Sequence, residues 1–387
     1  MKRVTVERIK GHPSFDAIVI GAGVSGAMIA EALTEKGLDV AIIDRRGAVL
    51  GSTPASTALV QYEIDVPLSK LSKQIGKERS TRVWRRSKLT LDSLRERTRA
   101  LGVSADCVNR DSLLLDGDEL DPDALFHEYE ARREAGFENA FLDAKAVRAR
   151  FGIKGRAAIL TYDNMATNPR RLTAGYLHAA LTRGAKIFAP YEVIGVDCGV
   201  HRVTLEMASG ETLKASSLVF ATGYEWVKGI PHPGQSIAST WALATRPQPR
   251  RLWPEHCFIW EASDPYLYMR VSPDFRIICG GEDEDFSDEP MRDALMDEKI
   301  QKISMKLKKI FPQLDTTPAF QWCANFGKSE TGTPTIGAIP GMKNCYAAMG
   351  YGGNGITFSA MASQILSTTL AGGIDPDADL FSFNRSF

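Results

Sequence analysis

The pattern of apolar positions is strongest near the start of the chain. An uninterrupted apolar run, FDAIVI, leads into glycines and an amphipathic segment, and a second run, VAII, follows the helix-stopping Gly37. Apolar strands without alternation are typical of a parallel sheet that is covered on both faces. The pattern therefore predicts a βαβ unit and an α/β fold.

Later segments predict further elements of both kinds. Helical periodicity over residues 67–101 predicts two helices, and residues 168–198 predict a helix followed by a strand. Between residues 230 and 318 the pattern favours antiparallel sheet, because YLYMRVSPDFRIICGG places a Pro-Asp turn between two β-rich runs. The acidic GEDEDFSDEP and the basic helix after it are expected to be solvated surface.

We expect two interleaved domains. Residues 14–85, 145–228 and 318–384 would form a Rossmann-like nucleotide-binding domain. Residues 86–144 and 229–317 would form a mixed-sheet α+β substrate domain that covers the reactive part of the cofactor.

Composition narrows the range of partners. The 387 residues include 47 Lys plus Arg and 47 Asp plus Glu, so no overall charge attracts nucleic acid or an anionic membrane. No apolar run reaches the roughly 20 residues that span a bilayer, and the first residues lack a signal-peptide core, so a cytoplasmic location is expected. The six scattered cysteines predict reduced thiols and no metal site. Nothing in the sequence fixes the oligomeric state.

A glycine motif identifies a nucleotide site. Gly21, Gly23 and Gly26 form GxGxxG between a predicted strand and a predicted helix, and Asp44 ends the next strand where an acid can bind ribose hydroxyls. The residues expected to meet the pyrophosphate are Gly21, Ala22, Gly23, Val24, Ser25 and Gly26. This segment alone does not distinguish NAD from FAD.

Motifs further along the chain resemble a flavoprotein family. They are GSTPAS at 51–56, the ATG of Ala221, Thr222 and Gly223 after an apolar strand, WCANFGKSETGTPTIG at 322–337 and GYGGNGITFS at 350–359. Their order and spacing resemble the FAD-dependent oxidoreductases that include D-amino-acid oxidase, glycine oxidase and sarcosine oxidase. The last motif looks closest to the gamma-glutamylputrescine oxidase branch.

The resemblance implies further contacts with FAD. Asp44 and Arg45, with Arg46 beside them, would meet the ADP ribose, and Val193 would hold the adenine. The loop after the second strand would serve the pyrophosphate and the flavin through Gly51, Ser52, Thr53, Ala55, Ser56 and Thr57. The late loop would bring amides and a helix N-terminus to the flavin ring through Gly350, Gly352, Gly353, Asn354, Gly355, Ile356 and Thr357.

Candidate substrate residues are less specific. Arg270 lies on the predicted hairpin and could bind a carboxylate in a bidentate manner, or serve a structural role. Tyr62 and Tyr268 could line an amine pocket or belong to the core. Tyr351 beside the late loop and Asn325 on the Trp322 strand are equally balanced candidates.

Two departures from the family qualify the resemblance. Sarcosine oxidases carry a lysine where Thr357 stands, which puts a lysine clamp for a small carboxylate in doubt. Their cysteine that tethers the flavin lies near Cys323, but the motif alignment places Cys323 one residue away. Non-covalent FAD is therefore expected.

The resemblance implies an amine or amino-acid oxidase or dehydrogenase. A C–H bond beside nitrogen would give its hydride to the flavin, the imine would be hydrolysed, and oxygen or another acceptor would reoxidise the flavin. One alternative is a flavoprotein dehydrogenase of a hydroxy acid or glycerol phosphate, and another is a flavin subunit of a larger electron-transfer complex. An NAD dehydrogenase would not need the late glycine loop.

Overall fold

Two β-sheets organise the chain in the computed structural model, which describes residues 3–385. The strands are β1 (Ser14–Ile20), β2 (Val40–Ile43), β3 (Leu59–Val60), β4 (Val108–Leu115), β5 (Asn139–Leu142), β6 (Ala158–Ala166), β7 (Lys186–Phe188), β8 (Val193–Cys198), β9 (Val203–Met207), β10 (Thr212–Phe220), β11 (Gln235–Thr245), β12 (Phe258–Glu261), β13 (Leu267–Val271), β14 (Ile277–Glu284), β15 (Pro318–Ser329), β16 (Thr335–Ala338) and β17 (Cys345–Met349).

Helices cover these sheets. They are α1 (Val24–Glu35), α2 (Leu68–Ile75), α3 (Lys77–Ala100), α4 (Pro122–Glu134), α5 (Ala144–Phe151), α6 (Pro169–Thr182), α7 (Glu289–Ala294), α8 (Met296–Ile310) and α9 (Gly355–Leu370). Among residues 3–385, none of these helices is long and apolar enough to cross a membrane.

The first sheet confirms the predicted βαβ unit. Its central strands run in the order β17-β10-β1-β2-β7 and are parallel, with β16 antiparallel at one edge and β9 and β8 joined to β10. Ala17 and Val19 of β1 belong to a core that includes residues of α1 and α9, whereas Ile18 belongs to a second core on the other face. Successive side chains of a strand point to opposite faces, so uninterrupted apolar strands fit a sheet buried on both sides.

The second sheet is mixed. Its order is β15-β11-β14-β13-β12-β4-β6-β3, with β5 paired to β6, and the β12–β4 pair is parallel. The predicted hairpin is confirmed as the antiparallel pair β13–β14. Strands β6 and β15 also hydrogen-bond in this sheet, although the predicted boundaries place them in the nucleotide-binding part. The division of the chain into domains therefore stays a proposal, with both strands better grouped with the second sheet.

Several elements between residues 139 and 166 are not predicted by the sequence pattern. Helix α5 begins where Asp143 accepts a hydrogen bond from the amide of Ala146, and it ends at Gly152 in the left-handed conformation. These are the usual start and stop signals of a helix, but its 8-residue length leaves too little periodicity to recognise. Local capping therefore defines an element that hydrophobic patterning misses.

Candidate functional site

One large cavity lies between the two sheets. It has a volume of about 870 Å³, at the upper end of the roughly 300–1,000 Å³ usual for small-molecule sites. At one side it is bounded by the ends of β1, β2 and β10, and at the other by residues of the second sheet such as Thr240, Tyr268 and Asn325. A site at the carboxyl ends of parallel strands is where an α/β sheet binds its ligand.

Most of the predicted site residues line this cavity. The predicted cofactor residues that do so are Gly21, Gly23, Val24, Ser25, Asp44, Arg45, Arg46, Gly51, Ser52, Thr53, Ala55, Ser56, Thr57, Val193, Ala221, Thr222, Gly223, Gly352, Gly353, Asn354, Gly355, Ile356 and Thr357. The predicted substrate residues Tyr268, Tyr351 and Asn325 also line it. Five predicted residues do not belong to the wall: Ala22, Gly26, Gly350, Tyr62 and Arg270.

The glycine turn before α1 and the first turn of that helix leave no room for side chains at Gly21 and Gly26. A Cβ on Gly21 would lie 2.3 Å from the carbonyl oxygen of Ala221, and a Cβ on Gly26 would lie 1.8 Å from the carbonyl oxygen of Gly21. Gly23 precedes the helix and makes no side-chain cap, and the Val24 amide donates to Thr53 Oγ1 at 3.0 Å. The turn thus presents bare backbone to the cavity, as a phosphate-binding helix N-terminus requires.

Asp44 is held rigidly at the end of β2. Its Oδ2 accepts from the amide of Ala22 at 2.8 Å, and its Oδ1 accepts from the amides of Arg46 and Gly47 at 2.8 and 2.9 Å. Two of these amides belong to the loop that Asp44 itself begins. Ala22 does not line the cavity, but its amide helps to orient the carboxylate of Asp44, which does.

Arg45 and Arg46 form a charged rim with Glu225. The shortest nitrogen–oxygen distances to Glu225 are 2.9 Å from Arg45 and 2.6 Å from Arg46. Since all three side chains are more than two-fifths exposed, these pairs contribute little to stability. They place compensated charge beside Asp44.

Arg270 hydrogen-bonds to the loop after β2 on the side that faces away from the cavity. Its Nε donates to the carbonyl of Thr57, and Trp322 Nε1 donates to the carbonyl of Ala55 at 2.9 Å. Arg270 is buried, and burial lowers the pKa of its guanidinium to about 10. The expected contact of Arg270 with a substrate carboxylate has no support in this geometry, because the side chain instead ties the loop to the second sheet.

Of its two predicted roles, Tyr62 has the structural one, because it is buried in the core and does not line the cavity. Its ring stacks on Phe137 with centroids 5.9 Å apart, and its amide donates to Asn164 Oδ1 at 3.1 Å. Tyr351 does line the cavity, but its hydroxyl donates to the carbonyl of Ala348 at 2.8 Å. Burial raises the pKa of both phenols, so both remain neutral.

The late glycine loop is joined to the segment 57–65. Asn354 Nδ2 donates to the carbonyls of Gln61 and Glu63 at 3.2 and 2.8 Å, and Thr357 Oγ1 donates to that of Gln61 at 2.8 Å. The Gly353 amide donates to Asp65 Oδ2 at 2.7 Å. Asn354 makes no side-chain cap, so the first amides of α9 lie beside the cavity at Gly355.

A carboxylate and tyrosines mark the wall beside this loop. Asp65 lines the cavity together with Tyr224, Tyr266 and Tyr268, and the Tyr266 and Tyr268 ring centroids lie 5.6 Å apart. Asp65 is exposed to the cavity, but the protein atoms around it desolvate its carboxylate and raise its pKa, against the lowering effects of the Gly353 hydrogen bond and Lys328. Burial also raises the pKa of all three phenols, with Asp65 adding to the effect at Tyr224 and Tyr266.

A second carboxylate, Asp283, lies behind the wall. Both of its carboxylate oxygens are buried without a hydrogen-bond partner in the part of the chain that the structure describes. The hydroxyls of Thr240 and Tyr266 lie close enough to favour the carboxylate in part, although neither meets hydrogen-bond geometry. Burial is the larger effect and raises the pKa of Asp283 to about 6.

The sequence reasoning missed these carboxylates. Glu63 and Asp65 stand in QYEID, and Glu63 is 2% exposed. Two acids alternating with Tyr62 and Ile64 are a signal that could have identified Glu63 and Asp65. Asp283 stands in the acidic stretch expected to be solvated surface, and that expectation is wrong for Asp283 and for the buried Glu282.

The cavity fits a dinucleotide with a flat ring. The N-termini of α1 and α9 both open on it, and the glycine turn excludes side chains where a pyrophosphate would approach. Asn354 Oδ1 is buried with no hydrogen-bond partner among residues 3–385, and Asn354 lines the cavity. Such atoms are expected where a ligand completes the hydrogen bonding.

Comparison with known proteins agrees with this geometry. The sequence profile of the family described as DAO, FAD dependent oxidoreductase, matches residues 16–369. The probable oxidoreductase OrdL of Haemophilus influenzae is 22% identical over 369 residues, which cover 92% of this chain and 83% of OrdL. Glycine oxidase from Geobacillus kaustophilus aligns with a TM-score of 0.79 at 18% identity, covering 97% of this chain and all of that one. L-proline dehydrogenase from P. horikoshii also gives 0.79 at 18% identity, covering 96% and 97%.

Proposed function

The chain belongs to the FAD dependent oxidoreductase family, and from that premise we propose that it oxidises an amine or amino acid with non-covalently bound FAD. The observation that carries this proposal is the single cavity onto which the N-termini of both α1 and α9 open. One cavity with two such ends suits a cofactor that has a pyrophosphate and a ring that gains negative charge on reduction.

Different residues along the cavity would bind different parts of FAD. The turn around Gly21 and Gly23 would hold the pyrophosphate, and Asp44 would accept hydrogen bonds from the ribose. The amides at the start of α9 would face the ring. Bound FAD supplies the two-electron acceptor, while this chain binds and orients the substrate and excludes water.

The proposed reaction breaks a C–H bond beside the amine nitrogen. Its hydrogen and two electrons leave as a hydride, water then hydrolyses the imine, and the products are a carbonyl compound and an amine or ammonia. Two fold neighbours, glycine oxidase and L-proline dehydrogenase, are named after substrates with such a C–N bond. The gamma-glutamylputrescine branch stays a prediction from the late loop.

The state of Cys323 supports non-covalent binding. It lines the cavity, and its Sγ lies 3.1 Å from Asp293 Oδ1. Burial and this carboxylate raise the pKa of the thiol, which disfavours the thiolate that would attack a flavin.

An anaerobic reduction screen tests the proposed reaction. Purified holoprotein is mixed with amines, amino acids, hydroxy acids and glycerol 3-phosphate, and bleaching of the flavin absorbance is followed. We expect bleaching by compounds with a C–N bond only. Bleaching by a hydroxy acid or glycerol phosphate alone would overturn the proposal.

Readmission of air then identifies the electron acceptor. Stoichiometric hydrogen peroxide would indicate an oxidase, whereas a flavin that stays reduced until an artificial acceptor is added would indicate a dehydrogenase. A reduced flavin that is reoxidised only by a co-purified protein would indicate a subunit of an electron-transfer complex.

A further inference from the structure

The wall formed by Asp65, Tyr224, Tyr266 and Tyr268 has a chemistry that the family assignment does not explain. We call these four residues the anionic wall. Asp65 Oδ2 accepts from Gly353, whereas Oδ1 has no hydrogen-bond partner among residues 3–385. Tyr224 donates to the carbonyl of Gly352 at 3.4 Å, which places its ring beside the same loop.

Buried acids reinforce the negative charge of this wall. Glu63 lines the same cavity, and its Oε1 has no hydrogen-bond partner among residues 3–385 but lies 3.9 Å from a nitrogen of the buried Arg132, so this charge is partly compensated. Asp283 lies behind Tyr266 with both oxygens buried and without a hydrogen-bond partner among the same residues. Because burying an unpaired carboxylate is costly, Asp283 and the unpartnered Oδ1 of Asp65 mark this side of the cavity as a place where a positive charge would be stabilised.

The nearby cations are already engaged. Arg292 is the arginine that lines the cavity from the second-sheet side, and its nitrogens lie near Asp293 at 2.9 Å, Asn325 at 3.0 Å and Glu289 at 3.9 Å. Lys328, the cation that acts on Asp65 and Asp283, lies 2.8 Å from Asp285 Oδ1. Neither is free to anchor a substrate carboxylate without losing an existing partner.

Carboxylate and phenol groups together match one kind of ligand. A carboxylate oxygen accepts charge-assisted hydrogen bonds from an ammonium group, and tyrosine faces attract its positive charge. A carboxylate ligand would instead meet repulsion from Asp65 and would find no unpaired guanidinium.

We propose that the anionic wall binds a positively charged group of the substrate remote from the oxidised carbon, so that preferred substrates are diamines or similar amines with a cationic tail. The inference rests on the proposed amine oxidation and names its substrate class. Asp65 is the residue that would determine specificity, through its free Oδ1.

Three substrates with the same reacting end test this inference. 1,4-Diaminobutane, 1-aminobutane and 4-aminobutanoate differ only in a cationic, neutral or anionic tail. We expect kcat/KM for anaerobic flavin reduction to fall in that order. We also expect Asp65→Asn to reduce the ratio of the diamine value to the 1-aminobutane value, both measured with the same variant, about 10- to 100-fold.

Asp39→Asn is the matched control. It removes an exposed carboxylate that is absent from the cavity wall and pairs with no cation among residues 3–385, while Asn at position 65 can still accept from the Gly353 amide. Asp39→Asn should keep the diamine preference. An equal response of all three substrates to Asp65→Asn, or a preference for 4-aminobutanoate, would overturn the inference.

A binding measurement separates this inference from the proposed reaction. Butyltrimethylammonium, which has no nitrogen lone pair to support oxidation, is titrated into the holoprotein while the flavin spectrum is recorded, with pentanoate as the anionic comparison. If the holoprotein binds the cation and Asp65→Asn weakens that binding, the result supports cation binding by the anionic wall, even if no amine bleaches the flavin. Flavin reduction by amines without any preference for a cationic tail would support the proposed amine oxidation and contradict the proposed role of the anionic wall.

Discussion

The two glycine-containing regions of the cavity are built in different ways. At the turn before α1 and in the first turn of that helix, Cβ atoms added to Gly21 and Gly26 would collide with backbone carbonyl oxygens. At the late loop, those of Gly352 and Gly353 would meet the carboxylate of Asp65, at 2.5 and 2.9 Å. In the first region, backbone atoms leave no space for a Cβ. In the second region, the side chain of Asp65 occupies that space.

This difference separates fixed from adjustable parts of the site. Backbone around a parallel sheet cannot retreat without breaking the strand pairing, so the turn before α1 offers one geometry. A side chain such as Asp65 can rotate or be replaced, so the late loop can be tuned to a particular substrate. We therefore expect substitutions in the two regions to differ in size and in whether they can be rescued.

Gly26→Ala should have the largest effect. Its Cβ would lie 1.8 Å from the carbonyl oxygen of Gly21, so the fold would lose about 3 kcal/mol or the turn would open. We expect at least about a tenfold loss in FAD bound per chain, measured by absorbance.

Gly37→Ala is the control for that substitution. Gly37 has a φ of +83°, but no described atom lies within 4 Å of the point that its Cβ would occupy, so the substitution tests backbone strain alone. It should cost about 1 kcal/mol and leave flavin content unchanged. Normal flavin content in Gly26→Ala would break the distinction between the two regions.

Asp283→Asn should change the stability of the fold in a pH-dependent way, through a side chain behind Tyr266 in the wall beside the late loop. Burial raises the pKa of Asp283 from 3.8 to about 6, so its stabilising contribution is complete below about pH 4 and is lost as the pH rises through 6. The neutral variant should match the parent near pH 4 and be about 3 kcal/mol more stable near pH 8. Chemical denaturation at the two pH values measures this, and equal stabilities near pH 8 would contradict the buried, unpaired state of the carboxylate.

Gly353→Ala should have the smallest effect and should be rescuable. Its Cβ would lie 2.9 Å from Asp65 Oδ1, and the carboxylate can move, so we expect FAD affinity to fall only about two- to tenfold. Combining it with Asp65→Ala removes the colliding group, and a double-mutant cycle of FAD affinities should show a coupling of about 1 kcal/mol. Additive effects would mean that Asp65 does not close the loop.

The same difference explains what the sequence could predict. Gly21, Gly23, Gly26 and Asp44 follow from local spacing, because strand, turn and helix are neighbours in the chain. Thr53 and Gly353 were placed only by resemblance to a family. Thr53 bonds to Val24 and Gly353 bonds to Asp65, and these pairs come from segments that are distant in the chain, so local spacing does not predict them.

Burial of polar residues was the part that local pattern misjudged. Arg270 and Tyr62 have chemistry suited to a substrate site, yet the second sheet and the core use them for anchoring and packing. Asp283 stands among exposed acids but is itself enclosed by the Thr240 and Tyr266 side chains. Leu89 shows the converse, because this apolar residue of α3 is 62% exposed.

Direct identification of the cofactor tests the proposed flavin site. Purified protein is denatured, the supernatant is separated from the chain, and any released flavin is identified and quantified, with FAD added beforehand if the protein is colourless. We expect close to one FAD per chain, released without a covalent adduct. A chain that carries no flavin and takes up none on reconstitution would contradict this expectation.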